Sequence, residues 1–269
     1  MGFLNDNLGA AEYVKPFICA DQYLNGESRW VLWLVDAPPE VIRENAGVRR
    51  RVEAVREFRL RSKKESTRRR ADRPALFDQL RQPTQEYILI PLHSSENRRY
   101  IPFGYCSPDM IIGNSCTAIP NAKLYHFGVI SSAMHMAWVR LVCGRIKSDY
   151  RYSNKLVYNN FPWPREIDVN RELTVEKAAQ SVLDARAQFL PPNGTSTLAD
   201  LYDPLSMPPP LSKAHADLDR AVDRCYRPES FGSDRERVEH LFALYERLIA
   251  PLLPATPRSR SRRRFRQSH

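Results

Sequence analysis

The sequence predicts an α+β fold: a mixed sheet/helix unit over 1–164, a small three-helix unit over 165–252, and a disordered basic tail over 253–269. Three observations carry this. The stretch "EYILIPL … RRYIPFGYC … SCTAIPNAKLYHFGVI" is rich in β-branched and aromatic residues and is broken by Pro, Gly and Asn. After Pro162-Trp163-Pro164 come three stretches with apolar residues at helical spacing. The last twelve residues, "RSRSRRRFRQSH", hold six arginines and no acid.

The elements follow in chain order. Residues 13–35 read as extended segments around a turn, with Asn25-Gly26 the hairpin signal between "FICADQYL" and "SRWVLWLV". "WVLWLV" at 30–35 is the densest apolar stretch and a candidate buried strand. A helix opens at Pro38-Pro39, with Glu40 and Glu44 in its first turns, and splits near Gly47. Val48, Val52, Val55 and Leu60 give it one apolar stripe in a basic surround. A polar connection follows, with a short helical turn at Pro74–Leu80. The β-rich run then extends through Ile130, and a helix is expected over 131–146 with a serine at its N-cap. "YRYSNKLVYNNFPWP" is expected to be extended, ending where Phe161 and Trp163 pack. In the helical unit, Val175, Ala178, Ala179, Val182, Leu183 and Ala185 mark the apolar face of the first helix; Ser233 and Glu236 stand in capping-box spacing at the start of the last.

The chain carries a formal charge of +10, and +4 once the six tail arginines are set aside. Between Arg43 and Arg73 there are 13 Arg/Lys against five Asp/Glu. A basic excess this clustered fits a polyanionic partner. No apolar run approaches the ~20 residues of a membrane span, and "MGFLNDNLGAAEYV" lacks the basic-then-apolar order of a signal peptide. The five cysteines are scattered and never in Cys-x-x-Cys spacing, which points to a reducing compartment and away from a zinc site or a disulfide frame. His93, His126, His135, His215 and His240 show no ligand spacing and read as packed or surface histidines.

Catalytic signatures are missing from the pattern. No two of the ten glycines stand as Gly-x-Gly, and there is no Walker sequence or Gly-x-Ser-x-Gly elbow. "SPDM" at 107–110 is followed by no Asp-x-Lys or Glu-x-Lys that would complete a Mg²⁺ nuclease site. "NNFPW" at 159–163 has its prolines misplaced for an amino-methylating loop. No catalytic or metal residue is expected.

One stretch does suggest chemistry. In "GRIKSDYRYS", 144–153, every second residue is charged: Arg145, Lys147, Asp149, Arg151. On a strand these lie on one face, with Ile146, Ser148, Tyr150 and Tyr152 on the other. Such a row suits a solvated strand edge or a set of fingers entering a DNA groove.

The run "SSENRRYIPFGY … IPNAKLYHFGVISSAMHMAWVRLVCGRIKSDYRYSNKLVYNNFPWP" resembles the target-recognition domain of MmeI-like enzymes, DNA adenine methyltransferase–endonucleases of type IIG/IIL restriction–modification. "NGESRWVLWLVDAPPEVI" and "VEAVREFRLRSKKESTRRRADRPALF" resemble the same domain. "LADLYDPLSMPPPLSKAHADLDRAVDRCY" and "FALYERLIAPL" resemble the helical C-terminal domain that follows it. The resemblance covers about 13–252; the tail past 257 lies outside it, and "VKPFICADQYLNG" departs from the Gly-Ser usual in the family near Ile18–Cys19.

The resemblance implies sequence-specific recognition of double-stranded DNA. S-adenosylmethionine and Mg²⁺ are expected only in the family's upstream catalytic domains, which nothing in this sequence matches. The chain then looks like the back part of such an enzyme, a bacterial, cytoplasmic, nucleoid-associated protein. A separately encoded methyltransferase/nuclease chain is a candidate partner, and no membrane is expected. By resemblance, Lys147 and Asp149 read a base pair at the target's edge and the segment around Ser115 approaches a neighbouring base; Arg151, one pleat on, is a further base or phosphate contact. The chemistry agrees: Lys donates to guanine O6 and N7, and Asp accepts from cytosine N4. Arg98, Arg99, Lys63, Lys64, Arg68, Arg69 and Arg70 are the candidate phosphate contacts. Tyr100, Tyr125, Trp138 and Tyr152 read as core. The rival readings are a stand-alone nucleic-acid-binding module of transcription-factor type and a degenerate, inactive gene fragment.

Overall fold

The computed structural model describes residues 2–250, so the basic tail over 253–269 lies outside the described residues. The fold is α+β, as the sequence predicts. Short α1 (Gly2–Asn5) leads into β1 (Val14–Ile18), α2 (Ala20–Asn25), β2 (Trp30–Leu32), α3 (Pro39–Glu44), α4 (Ala46–Leu60) and α5 (Glu65–Arg68). The sheet-rich middle holds β3 (Tyr87–Pro91), β4 (His93–Ser94), β5 (Gly104–Cys106), β6 (Ile111–Ile112) and β7 (Cys116–Pro120). Then come α6 (Leu124–Ile130), α7 (Ala133–Val142), β8 (Gly144–Ile146) and β9 (Asp149–Arg151), and finally α8 (Val169–Ala187), α9 (Leu198–Leu201), α10 (Pro209–Tyr226) and α11 (Asp234–Ile249). Among the described residues the strands make three small sheets, ordered β2-β1-β6, β5-β3-β7 and β4-β9-β8.

Several local expectations are corrected. The Asn25-Gly26 signal ends a helix rather than making a tight hairpin. Gly26 takes the left-handed conformation that closes α2 (φ 67), and β1 and β2 pair antiparallel across it. Only Trp30–Leu32 of "WVLWLV" is strand, and as an edge strand it leaves Trp30 61% exposed. The basic helix does split, at Asn45, between α3 and α4. There the buried Asn7 side chain accepts from Gly47 N at 2.9 Å, an approach so close that a Cβ at 47 would lie 2.5 Å from Asn7 Nδ2. Helical turns fall at 65–72 instead of Pro74–Leu80. The Arg59 guanidinium collects the carbonyls of Arg70, Arg73 and Leu76 at 2.7–2.9 Å and so occupies acceptors that a helix would use.

Residues 124–130 form a helix where β-branched and aromatic content suggested a strand. Burial on all sides removes the periodicity that marks a helix. A Cβ on Gly128 would meet Val175 Cγ1 at 2.7 Å, so glycine lets α6 lie directly on α8. α7 has Ser132 as its N-cap, its hydroxyl accepting from His135 N, but stops at Val142. Gly144–Ile146 instead becomes β8, its backbone groups taken by β9. Residues 154–158 form one wide helical turn, closed by Asn159 N donating to Asn154 O at 2.8 Å, rather than extended chain.

The largest of three buried apolar clusters joins the middle of the chain to the C-terminal helices, while Ala10, Leu34 and Val48 form a separate one in the N-terminal segment. Trp138, Tyr100, Phe103 and Phe127 are buried with Val175, Leu211, Leu218 and Leu241 of the C-terminal helices in one cluster. Tyr100, Tyr125, Trp138 and Tyr152 are core, and Phe161 packs edge-on against Trp163, centroids 5.4 Å apart. The three expected amphipathic helices are α8, α10 and α11. Arg186 of α8 is 4% exposed and donates to the Phe103 carbonyl and the Tyr202 hydroxyl. Among the described residues no helix is long and apolar enough to cross a membrane.

Candidate nucleic-acid interface

The charged row of 144–153 is a hairpin, not one strand. β8 and β9 pair antiparallel around a turn at Lys147-Ser148, with Ile146 opposite Asp149, Arg145 opposite Tyr150 and Gly144 opposite Arg151. The reversal changes the parity of the row. Opposed residues share a face, so Arg145 lies on the face of buried Tyr150, while Asp149 and Arg151 stand on the exposed face. The expectation that all four charges share one face is therefore corrected: Lys147 holds the tip, Asp149 and Arg151 project outward, and Arg145 is structural. Its guanidinium lies 4.1 Å from the Tyr150 ring centroid, donates to Ser148 O at 2.7 Å, and pairs with Glu96 at 3.7 Å.

Lys147 has φ +54. A side chain in the left-handed region costs roughly 1–2 kcal/mol, and Asn or Gly is the usual occupant of such a turn. A lysine there sacrifices stability to set an ammonium at the tip. Lys147→Gly is accordingly expected to retain or gain stability, by up to about 1 kcal/mol, since relief of strain offsets the added chain entropy. Chemical denaturation checks this, and a loss above about 1 kcal/mol contradicts it.

The hairpin sits on β4, His93 opposite Arg151 and Ser94 opposite Tyr150. Asp149 Oδ1 accepts from Glu96 N at 3.2 Å. Next to the hairpin, Leu92 donates from N to Ser115 O at 2.9 Å and accepts at O from Tyr152 N at 2.8 Å. Ser115 thus lies two strand spacings from the base of the hairpin, about 10 Å. Its hydroxyl accepts from Ala20 N at 2.9 Å, which ties it to the start of α2.

The candidate phosphate contacts divide. Arg98 is half-buried beside the hairpin; burial lowers its guanidinium from the ordinary value, while the charges of Asp149 and Asp203 oppose the shift. Arg99 is exposed, over the Tyr100 ring and 3.9 Å from Asp219. In the basic segment, Arg68 donates to the carbonyls of Ser62 and Lys63, Arg69 pairs with Glu65, and Arg70 pairs with Asp78. Lys63 and Lys64 are exposed and make no ion pair among the described residues.

Pattern reading missed two residues at this site. His93 faces outward across from Arg151, and Glu96 supplies both the amide for Asp149 and the carboxylate for Arg145. Neither carries a local signal, because β4 is two residues long and its partner lies more than fifty positions on.

Elsewhere, an open apolar groove of about 1010 Å³ runs between α4, the β1–β2 edge and the turn at 74–78. Phe3, Trp30, Leu32, Val55 and Phe77 line it. Its arginines are engaged: Arg51 lies 4.0 Å from the Phe3 ring centroid, and Arg59 is on backbone carbonyls. Among the described residues no group of three or more His, Cys, Asp or Glu could hold a metal ion.

Comparison with known proteins gives consistent matches. The family described as "MmeI, target recognition domain" matches residues 2–165, and "MmeI, C-terminal domain" matches residues 167–253. DNA methyltransferase A of Bacillus subtilis (strain 168) is 40% identical over 236 residues, which is 88% of this chain and 26% of the relative. A solved structure of the type IIL restriction–modification enzyme MmeI in complex with DNA superposes with a TM-score of 0.87 at 40% identity, covering 93% of this chain and 33% of that one. The chain thus spans between a quarter and a third of the length of these relatives.

Proposed function

The chain belongs to the MmeI family, and from that membership we propose that it reads a specific sequence in duplex DNA as the recognition part of a DNA adenine methyltransferase/restriction enzyme. In this reading residues 1–164 are the target-recognition domain and 165–252 the helical C-terminal domain. The observation that carries it is the hairpin: an ammonium at a strained tip and a carboxylate one residue beyond the turn, both exposed. Lys147 donates to guanine O6 and N7, and Asp149 accepts from cytosine N4, which together specify one orientation of a G·C pair. Arg151 contacts a further base, and the Ser115 segment approaches its neighbour. Lys63, Lys64 and Arg99 meet phosphates and fix register without reading sequence. Arg68, Arg69 and Arg70, each engaged with its own segment, add to the field more than to individual contacts.

In this reading S-adenosylmethionine and Mg²⁺ serve the family's catalytic domains, for which residues 1–269 supply the recognition part. A methyltransferase must present its target base at a fixed distance from the bases being read, so it must pack firmly on the reading unit. The groove beside Trp30 suits that contact: it is apolar and wide, and among the described residues both arginines that line it are engaged within the chain.

The test compares one sequence as DNA duplex and as RNA duplex at fixed salt. A-form RNA closes its major groove to side chains, so the DNA is expected to bind at least about tenfold tighter. Equal affinities would return the chain to a general polyanion binder.

A further inference from the structure

Residues 95–100 connect the reading hairpin to the C-terminal helices. At one end the loop cradles the hairpin. Glu96 N donates to Asp149 Oδ1 at 3.2 Å, and the Glu96 carboxylate pairs at 3.7 Å with Arg145, which locks the turn through Ser148 O. One oxygen of Asp149 is thereby held by the protein, leaving the other to accept from a base. At its other end the loop runs into Tyr100, whose ring stacks on His215 of α10 with centroids 4.0 Å apart. The Tyr100 hydroxyl donates to Asp219 Oδ2 at 2.6 Å, and Asp219 Oδ1 accepts from Ala133 N, at the start of α7, at 2.7 Å. Arg99 is held as well. Its carbonyl accepts from Arg140 Nη2 at 3.1 Å, and Arg140 pairs with Asp234 in the first turn of α11.

Asp219 is 6% exposed, and burial raises its carboxyl above the ordinary range while the Tyr100 and Ala133 donors oppose that. Burying a carboxylate is costly, and removing it alone leaves its two donors without this partner. What a buried carboxylate does supply is direction, since its two oxygens fix two donors at defined angles.

We propose that Asp219 is a positioning residue for base reading: through Tyr100 it fixes the 95–99 loop, and through Glu96 N that loop fixes the Asp149 carboxylate. The inference rests on the base-reading role given to the hairpin. It assigns the C-terminal helices a share in sequence discrimination without contact to DNA.

The experiment measures affinities for two duplexes that differ only in the orientation of the base pair assigned to Lys147 and Asp149. The parent, Asp219→Leu, Asp219→Asn and Tyr100→Phe are compared, with a second duplex pair varied at another target position. Asp219→Leu is expected to lower the parent's discrimination about tenfold at the first position and leave the second unchanged. Asn retains it, because its amide accepts from Ala133 N and donates to the Tyr100 oxygen. Tyr100→Phe keeps the ring on His215 and loses only the hydroxyl, so a loss of about threefold there reports on positioning even where Asp219→Leu fails to fold. Full discrimination in Tyr100→Phe, and in Asp219→Leu where that variant folds, overturns the inference. So does a fall of equal size at every position, which marks general loosening. A parent that does not discriminate removes the base-reading role itself, a failure distinguished by its showing in the unmutated chain.

Discussion

Replacing Lys147 by Glu and Asp149 by Arg is expected to invert the preferred orientation of one base pair, G·C becoming C·G, while other positions of the target stay as they are. Arg at 149 donates where Asp accepted, and Glu at 147 accepts where Lys donated. Each good contact contributes ~1–3 kcal/mol of discrimination. A preference of about 2 kcal/mol for one orientation turned into the same preference for the other is a swing on the order of a thousandfold in relative affinity. Both side chains are exposed, and the Arg145–Tyr150 brace beneath them is untouched, so the fold should hold. Asp149→Arg alone leaves two cations at the tip and should erase the preference without inverting it. Equilibrium titration of each protein with both duplexes is the measurement. Unchanged preference in the double variant would mean that the exposed edge of this hairpin is only solvated.

The largest loss of stability is expected at Arg186. Its guanidinium is buried between the two parts of the chain, donating to the carbonyl of Phe103 and the hydroxyl of Tyr202, with the Tyr202 ring centroid at 4.8 Å and that of Phe127 at 5.4 Å. Tyr202 in turn shares a 2.8 Å hydrogen bond with His215 Nε2. Arg186→Ala leaves the Phe103 carbonyl without this partner, at ~1–3 kcal/mol for a buried acceptor, and opens a cavity in the shared core. The total is expected to be about 2–4 kcal/mol in urea unfolding, relief of the buried charge offsetting part of the loss, as a shifted midpoint of one transition. A loss below about 1 kcal/mol would contradict the view that this guanidinium ties the sheets to the helices.

Periodicity revealed what is half-exposed. α4, α8, α10 and α11 each keep a polar face, so their apolar stripes were legible, and the break in the basic helix was marked by Gly47. α6 was hidden for the opposite reason. Tyr125, Phe127, Gly128, Val129 and Ile130 are all buried, and a helix covered on every side shows no stripe. The hairpin was visible as a charged row, but its parity was not, because Lys147-Ser148 carries none of the Asn-Gly chemistry that announces a two-residue turn. At the candidate site, Lys147, Asp149 and Arg151 were legible as a charge pattern. Glu96, Tyr100 and Asp219 were not, since the bonds joining them span 53 to 119 positions and leave no mark on local sequence. The engagement of Arg69 could be read from Glu65 four residues before it, an (i, i+4) pair; that of Arg70 with Asp78 needed the loop's path.

Selection from a pool of random DNA duplexes by the purified chain, at one fixed salt concentration, tests the central claim most directly. The account predicts an enriched motif with a G·C pair of defined orientation at one edge, reversed when the Lys147→Glu/Asp149→Arg protein is used on the same pool. Retention without any enriched motif, fading uniformly as salt is raised, would contradict it.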